Sequence, residues 1–194
     1  MRKYNYKNYK EYVKSQVEAN KRKLNKVWVS EDSIKQIYNF IGDGAYKILC
    51  HGVRNGTELI YFKKYFGECD ILGTEISDTA SMFDNVIQWD FHDVKDEWVG
   101  SYNLIYSNSL DHSYDPEKAI SSWLRCLDVK GYLVIEWSDQ NERSKRSDPL
   151  GAKLDEIINL INLCNGKVVH VEDIIPMRDD VKYQKLIYSR YISD

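Results

Sequence analysis

Residues 46–59 read YKILCHGVRNGTEL, a short apolar run followed by a glycine-containing turn and the start of a helix-forming segment. The run 46–50 is typical of a buried strand, and Gly52 and Gly56 stand four positions apart in the turn. Glycine lets the backbone approach a ligand closely, and a helix that starts at Thr57 directs its free amide groups to the same place. This stretch therefore predicts a strand–turn–helix unit with a binding turn at the carboxyl end of its strand.

The rest of the chain alternates strand-like and helix-like segments. Six further apolar or β-branched segments predict strands at 69–73, 86–89, 102–106, 132–137, 168–171 and 182–188. Crossover helices are predicted at 57–66, 116–127 and 152–163. This alternation predicts an α/β protein with a seven-stranded, mostly parallel sheet and helices on both faces.

The last two strands break the alternation. Their connection, residues 172–181, contains Pro176 and the charged run 178–180, so it does not hold a crossover helix. These strands are predicted to form an antiparallel hairpin. Residues 138–151 (SDQNERSKRSDPLG) are a long polar connection and a candidate lid or substrate loop.

The N-terminal segment differs in charge from the rest of the chain. Residues 1–26 contain nine Lys or Arg and two Glu, a net charge of +7, so the remainder carries −10 of the total of −3. Apolar and aromatic residues are interleaved with these charges at Tyr4, Tyr6, Tyr9, Tyr12, Val13 and Val17. This spacing favours an amphipathic helix packed on the body, with a nucleic-acid-binding arm as the alternative.

Two helices are predicted in this region. The first covers residues 10–24, and the second follows the N-cap sequence 30–32 (SED) and ends at Gly42. We therefore divide the chain into an N-terminal helical extension or lid, residues 1–44, and a domain at 45–194, within one compact domain overall.

Composition is that of a globular protein. Of 194 residues, 43% are hydrophobic, and no run is long enough to span a bilayer. The first ten residues lack the apolar stretch of a secretion signal, so we expect a cytoplasmic protein without membrane contact. Four cysteines without CxxC spacing are expected to be free, mostly buried thiols: Cys50, Cys69, Cys126 and Cys164.

Acidic residues follow the second and third predicted strands of the sheet. Glu75 ends the second strand, nineteen residues after Gly56, where a carboxylate can accept both hydroxyls of a ribose. Asp90 and Phe91 follow the third strand and offer an acceptor for an exocyclic amine beside an aromatic wall. Because these groups all stand at carboxyl ends of strands, they predict a nucleoside site at one edge of the sheet.

With these motifs, residues 27–190 resemble the class I S-adenosylmethionine-dependent methyltransferases. The resemblance rests on 48–56 (ILCHGVRNG), 73–77 (GTEIS), 89–91 (WDF), 102–116 (YNLIYSNSLDHSYDP) and 127–135 (LDVKGYLVI). It implies a Rossmann-like fold with an antiparallel C-terminal hairpin, S-adenosylmethionine as cofactor and S-adenosylhomocysteine as product.

The resemblance also implies cofactor contacts at the strand ends. They are His51, Gly52, Arg54 and Gly56 around the methionine part, Ser107 and Asn108 beneath the methyl-bearing sulfur, Glu75 and Ile76 at the ribose, and Asp90 and Phe91 around the adenine. Two residues depart from the family pattern, since Cys50 replaces an acid and Arg54 replaces a glycine. The first change removes a partner of the cofactor's ammonium group, and the second offers a guanidinium to its carboxylate.

Candidate catalytic residues follow the fourth strand. His112 is the candidate base for a hydroxyl acceptor, because imidazole accepts protons near neutral pH, and Asp111 would orient it or contact substrate. A packing role for His112 stays open. His92 is expected to shape the adenine pocket and His170 to be structural. The histidines have no HxxxH or HxH spacing, so no metal site is expected.

The leading functional hypothesis is methyl transfer to a hydroxyl or amine of a small polar acceptor, such as a sugar or another metabolite. Methylation of RNA or protein guided by residues 1–26 is an alternative. A nicotinamide-dinucleotide enzyme is disfavoured because HGVRNG is not GxGxxG. A non-catalytic binding protein is motivated by Cys50 and Arg54, and the oligomeric state stays open.

Overall fold

A computed structural model describes residues 1–138, 142–174 and 184–192 of the chain. The α-helices of this part are α1 (Tyr9–Arg22), α2 (Glu31–Ile41), α3 (Thr57–Phe66), α4 (Pro116–Cys126) and α5 (Leu154–Leu163). Its strands are β1 (Arg2–Lys3), β2 (Lys47–His51), β3 (Asp70–Glu75), β4 (Val86–Gln88), β5 (Tyr102–Ser107), β6 (Leu127–Ser138), β7 (Leu150–Gly151), β8 (Gly166–Asp173) and β9 (Gln184–Tyr191). Every predicted helix and strand has a counterpart among them.

Seven of the described strands form one sheet, in the order β4-β3-β2-β5-β6-β9-β8. Neighbours from β4 to β6 are parallel, whereas β9 is antiparallel to both β6 and β8. The predicted fold class is confirmed. Residues 139–141 of the polar connection and 175–181 of the hairpin connection lie outside the described residues. Because the chain order reverses between β2 and β5, a crevice opens beyond their carboxyl ends.

Helices cover both faces of the sheet. Ile48 and Leu104 belong to the buried cluster that contains side chains of α2 and α3. The adjacent residues Leu49 and Ile105 belong to the opposite cluster, with side chains of α4 and α5. Each of these fully buried aliphatic side chains contributes about 1.5–3 kcal/mol through burial. Because adjacent residues of the central strands are buried on opposite faces, helices on both sides hold the strand ends, and therefore the crevice, in a fixed position.

Two of the helices begin at side-chain caps that the sequence indicates. The Ser33 N–H donates to Ser30 Oγ at the start of α2 (3.0 Å). At the start of α4, the Lys118 N–H donates to Asp115 Oδ1 (3.2 Å), and Pro116 occupies the first turn. Such caps satisfy amide groups that the helix leaves free, and each contributes about 1 kcal/mol.

Two features of the strands were not predicted. β6 begins at Leu127, five residues before the predicted strand, because Leu127 pairs with Tyr102 ahead of a register shift. Gly131 permits this close pairing, since a Cβ there would lie 2.8 Å from the Tyr102 carbonyl oxygen. A second sheet pairs β1 with β7, and two-residue strands of this kind leave no periodic signal in a sequence.

The cysteines are free, as predicted: Cys50, Cys126 and Cys164 are buried and Cys69 is half-buried. In the described part of the chain, no helix is both long and apolar enough to cross a membrane.

Candidate active site

Two adjoining cavities lie at the carboxyl ends of β2, β3 and β5. The first has a volume of about 500 Å³, counting space open to solvent, and is bounded by Glu75, Asp90 and α1. The second, about 1010 Å³, is bounded by Glu58, Asn108 and the 145–148 segment. Both are lined by Lys23, Gly52, Arg54, Ser109 and His112, so the two cavities form one continuous site.

The turn after β2 has the close-approach geometry that its glycines predict. Gly52 has φ +74°, and a Cβ at this position would lie 2.5 Å from the Ser109 Cβ. Ser109 Oγ donates a hydrogen bond to the Gly52 carbonyl (3.0 Å). Only glycine leaves room for Ser109 at this junction, so backbone without a side chain lines both cavities there.

Glu75 is a carboxylate held in a fixed orientation at the end of β3. It is buried, its Oε2 accepts from the Arg54 N–H (3.1 Å), and its Oε1 accepts from the Ser77 N–H (3.0 Å). Arg54 takes φ +45°, in the left-handed region, in the turn that presents this N–H. A carboxylate has about four acceptor positions. Glu75 therefore retains acceptor capacity toward the first cavity, where Ile76 lies beside it.

Asp90 is fixed by a buried hydrogen-bond chain. The His92 ring donates from Nδ1 to Asp90 Oδ1 (2.6 Å), and its Nε2 accepts from Ser113 Oγ (2.7 Å). Burial raises the pKa of Asp90, but the His92 contacts outweigh it and hold the pKa below its ordinary value. His92 and Ser113 are fully buried, so this Ser–His–Asp arrangement supports Asp90 and has no access to a substrate. Phe91 forms the adjoining wall of the first cavity.

Helix α1 covers the first cavity. The cavity is lined by Tyr12, Gln16, Ala19, Asn20 and Lys23, a helical spacing along one face of the N-terminal segment. Tyr12 is buried and packs on Tyr114, with ring centroids 4.5 Å apart. The helix packs on the body as predicted, but the buried face differs from the predicted one. Of the apolar residues that predicted it within α1, Tyr12 is buried, Val13 and Val17 are half-buried and Tyr9 is exposed.

Other contacts attach α1 to the body along its length. The Tyr9 hydroxyl donates to Asp90 Oδ2 (2.7 Å), and Thr79 Oγ1 donates to Asn20 Oδ1 (2.8 Å). Lys21 forms an ion pair with Asp78 at 2.8 Å. The basic helix is therefore a wall of the site, joined to the body by polar contacts.

His112 and Asp111 both line the second cavity, but they are not hydrogen-bonded to each other. The His112 ring donates from Nδ1 to the Ser147 carbonyl (2.8 Å), and its Nε2 lies 3.9 Å from Asp111 Oδ1. The Ser147 carbonyl, and not Asp111 as predicted, orients the ring. Burial raises the pKa of Asp111, and His112 opposes this rise.

Donor atoms of Asp111, His112 and Asp148 lie within 4.8 Å of one another, a spacing that could hold a metal ion. Lys145 forms an ion pair with Asp148 at 2.6 Å and already balances its charge. The expected absence of a metal site stays a prediction.

Three of the predicted cofactor residues do not line either cavity. Ser107 is fully buried and donates to the His51 carbonyl (3.1 Å). His51 stacks on Trp123 with centroids 5.1 Å apart, and burial lowers its pKa to about 3. Gly56 instead precedes α3 with φ +71°. These residues lie next to the site residues in the chain but do not line the cavities.

Several residues that line the site were not predicted. Ser109 follows the predicted Ser107 by two positions, and Glu58 lies in the first turn of α3, just after the turn that holds Arg54. The sequence of α1 predicted an amphipathic helix but did not indicate which of its residues line the site.

A scan against protein-family models finds no match, and a search of curated proteins finds none either. Solved structures match in fold. The cyclase SpnF has a TM-score of 0.63 and 13% identity over 74% of this chain, and this chain spans 59% of the SpnF chain. The 1,6-didemethyltoxoflavin-N1-methyltransferase of Burkholderia thailandensis, solved with 1,6-didemethyltoxoflavin and S-adenosylhomocysteine, has a TM-score of 0.69 and 13% identity, covering 95% of this chain and 87% of its own.

A methyltransferase from Aquifex aeolicus that depends on S-adenosylmethionine gives a similar result. Its TM-score is 0.67 at 15% identity, and the match covers 88% of this chain and 98% of the Aquifex chain. With the strand order described above, these matches show that the chain has the fold of the class I S-adenosylmethionine-dependent methyltransferases.

Proposed function

We propose that the protein is an S-adenosylmethionine-dependent methyltransferase that acts on a small polar acceptor. The observation that carries the proposal is the first cavity, where Gly52, Glu75 and Asp90 meet from the ends of three strands. A close-approach glycine and two oriented carboxylates in these positions suit a nucleoside that carries an amino-acid tail.

The residues present fit this cofactor. Glu75 has acceptor capacity left for ribose hydroxyls, and Asp90 with Phe91 offers an acceptor and an aromatic wall for adenine. Gly52 lines both cavities, so it would present backbone and no side chain to the cofactor where the two cavities meet. When bound, S-adenosylmethionine supplies a methyl group on a positively charged sulfur, so the protein needs no nucleophile of its own.

The part of the second cavity beside His112 and Asp111 is the proposed acceptor site. His112 donates from Nδ1 to a carbonyl, so its Nε2 is free to take a proton when the ring is neutral. For a hydroxyl acceptor, His112 takes the proton at Nε2 as the acceptor oxygen gains the methyl group. Asp111, 3.9 Å away, stabilises the resulting imidazolium.

The position of α1 favours a small acceptor over RNA. Lys21 is paired with Asp78, and Lys23 lines both cavities, so these charges serve the body and the site. We propose that α1, within the extension at 1–44, is a lid over the cofactor and that 45–194 is the methyltransferase domain. Deletion of residues 1–26 distinguishes the two roles. If the segment is a nucleic-acid arm, the deletion removes salt-dependent RNA binding, and if it is a lid, the deletion weakens cofactor retention.

Isothermal titration calorimetry with S-adenosylhomocysteine tests the proposal. We expect saturable binding by the wild type and about 10- to 100-fold weaker binding by Glu75→Ala, the loss expected for a charged hydrogen-bond acceptor. Glu68→Ala, at an exposed position, is the matched control and should bind as the wild type does. No binding at millimolar ligand would reject the proposed function. Release of S-adenosylhomocysteine from S-adenosylmethionine in the presence of polar acceptors separates an enzyme from a binding protein.

A further inference from the structure

Glu58, the second residue of α3, is a buried carboxyl group at the wall of the second cavity. It is 6% exposed, and among the described residues its Oε2 has no hydrogen-bond partner. Arg54 and Asn108 line the same wall. Buried polar atoms are almost always hydrogen-bonded, so an unpartnered carboxyl oxygen at a cavity indicates a missing ligand.

The charge around Glu58 does not supply that partner. The Arg54 guanidinium donates to the Lys26 carbonyl (3.4 Å) and lies 5.9 Å from the centre of the Trp28 ring. Glu136 repels a negative charge on Glu58, and its own oxygen accepts from the Tyr106 hydroxyl (2.7 Å). Asn108 hydrogen-bonds the carboxyl group, but Oε2 has no partner among the described residues, so a cationic donor entering the cavity would meet no hydrogen-bonded cation there.

Titratable groups surround Glu58 on several elements. Those on the packed elements are Cys50 on β2, Arg54 after it, Tyr106 on β5 and Glu136 on β6, and those across the cavity are Lys23, Lys26, Asp111, His112, Lys145 and Asp148. Burial raises the pKa of Glu58 to about 8, against the opposing effects of its own backbone N–H, of Arg54 and of the Asn108 amide. Burial likewise raises the pKa of the Cys50 thiol and of the Tyr106 hydroxyl, so both are neutral.

Strand β2 contains no acidic residue, and a thiol stands at position 50 near its end. Cys50 is fully buried, and Glu58 is the charged residue with the strongest electrostatic effect on it. An acid is thus absent from the end of β2 and present on the adjoining turn of α3. Arg54 and Glu58, four positions apart, offer one cation and one anion to the same cavity.

We propose that Glu58 binds the α-ammonium group of the cofactor and Arg54 its carboxylate, so that this pair recognises the zwitterionic tail. This inference rests on the proposed function. On binding, the Glu58 carboxyl group releases its proton to solvent, and the carboxylate accepts an N–H of the ammonium group. No other bond is made or broken.

The coupled proton release gives the inference a pH signature. Only the ionised carboxylate pairs with the ammonium group, and its fraction in the free protein rises with pH up to about 8. Affinity for S-adenosylhomocysteine should therefore rise up to about tenfold per pH unit below that value and level off above it. Near neutral pH, binding should release close to one proton.

The test compares two ligands and two proteins by calorimetry, at about pH 6.5 and about pH 8.5. The ligands are S-adenosylhomocysteine and 5′-methylthioadenosine, which lacks the amino-acid tail. Glu58→Gln keeps the shape of the protonated side chain, and Glu68→Gln is the exposed control. At the higher pH, Glu58→Gln should bind S-adenosylhomocysteine about 10- to 100-fold more weakly than the wild type. The difference should shrink at the lower pH, and 5′-methylthioadenosine should bind both proteins equally.

Three results would overturn the inference. Unchanged affinity of Glu58→Gln for S-adenosylhomocysteine at the higher pH removes the role of Glu58 while the proposed function stands. An equal loss of affinity for both ligands means that Glu58 supports the fold and does not bind the amino-acid tail. If the wild type binds neither ligand, the proposed function is wrong, and the inference about Glu58 is wrong with it.

Discussion

Gly52→Ala is the sharpest test of the turn on which the proposed cofactor site depends. The new Cβ would lie 2.5 Å from Ser109 Cβ and 2.8 Å from its Oγ, at a backbone with φ +74°. The left-handed backbone costs an alanine about 1 kcal/mol. Overpacking adds about 1–3 kcal/mol, because Ser109 is held by hydrogen bonds at both its Oγ and its N–H. We expect the free energy of unfolding to fall by about 2–4 kcal/mol.

Two other glycines separate these costs. An added Cβ at Gly100 or Gly44 has no atom within 4 Å, and Gly100 has a positive φ of +64°. Gly100→Ala should therefore lose about 1 kcal/mol, and Gly44→Ala should change little. The excess loss of Gly52→Ala over Gly100→Ala measures the cost of the contact with Ser109.

Urea unfolding followed by circular dichroism measures the stabilities, and calorimetry measures affinity for S-adenosylhomocysteine. Because Ser109 lines both cavities, its displacement by Gly52→Ala should weaken binding at least about tenfold. Ser109→Gly in the same chain removes the clash and should recover about 1–2 kcal/mol relative to the sum of the two single changes. The reasoning is wrong if Gly52→Ala and Gly100→Ala cost the same within about 0.5 kcal/mol, or if the double variant shows no coupling.

Two further predictions concern the lid and the proposed base. Tyr12→Ala removes the buried ring that joins α1 to Tyr114, so stability should fall by about 3 kcal/mol and S-adenosylhomocysteine should dissociate faster in stopped-flow experiments. Lys14→Ala, on the exposed side of the same helix, should change neither quantity, and an equal effect of both variants would contradict the lid. With a hydroxyl acceptor, His112→Gln should lower kcat by about 100-fold or more while affinity for S-adenosylhomocysteine stays nearly the same. Unchanged kcat would assign His112 to packing.

The sequence predicted the elements best where local signals and tertiary contacts agree. Helix α3 was predicted with its observed bounds, because Gly56 and Gly67 flank it and both adopt left-handed φ values, +71° and +65°. The strand ends followed in the same way from apolar runs that stop at polar or glycine residues. The crevice could be placed beforehand, since parallel strands bring their carboxyl ends to one edge of the sheet.

The identity of the residues facing the cavities was less predictable. Ser107 was assigned to the site, but it is the last residue of β5 and points into the protein, whereas Ser109 lines both cavities. Beyond the end of a strand, the turn dihedrals decide which side chain faces a cavity, and here they depend on contact with Gly52, 57 residues away. Glu58 is likewise buried and lies within the electrostatic reach of Glu136 on β6, a proximity between distant parts of the chain that its position just after the Arg54 turn does not reveal.

The charge asymmetry of the chain takes on a physical meaning in the proposed lid. A wall over a cofactor must be attached firmly enough to exclude water and weakly enough to release the product. Among the attachments of α1, the exposed Lys21–Asp78 ion pair contributes at most about 1 kcal/mol, and the hydrogen bonds of Tyr9 and Asn20 contribute about 1 kcal/mol each. Only Tyr12 adds a fully packed aromatic contact. The basic segment on an acidic body thus forms a set of small, separable contacts, which can open locally while the seven-stranded sheet stays folded.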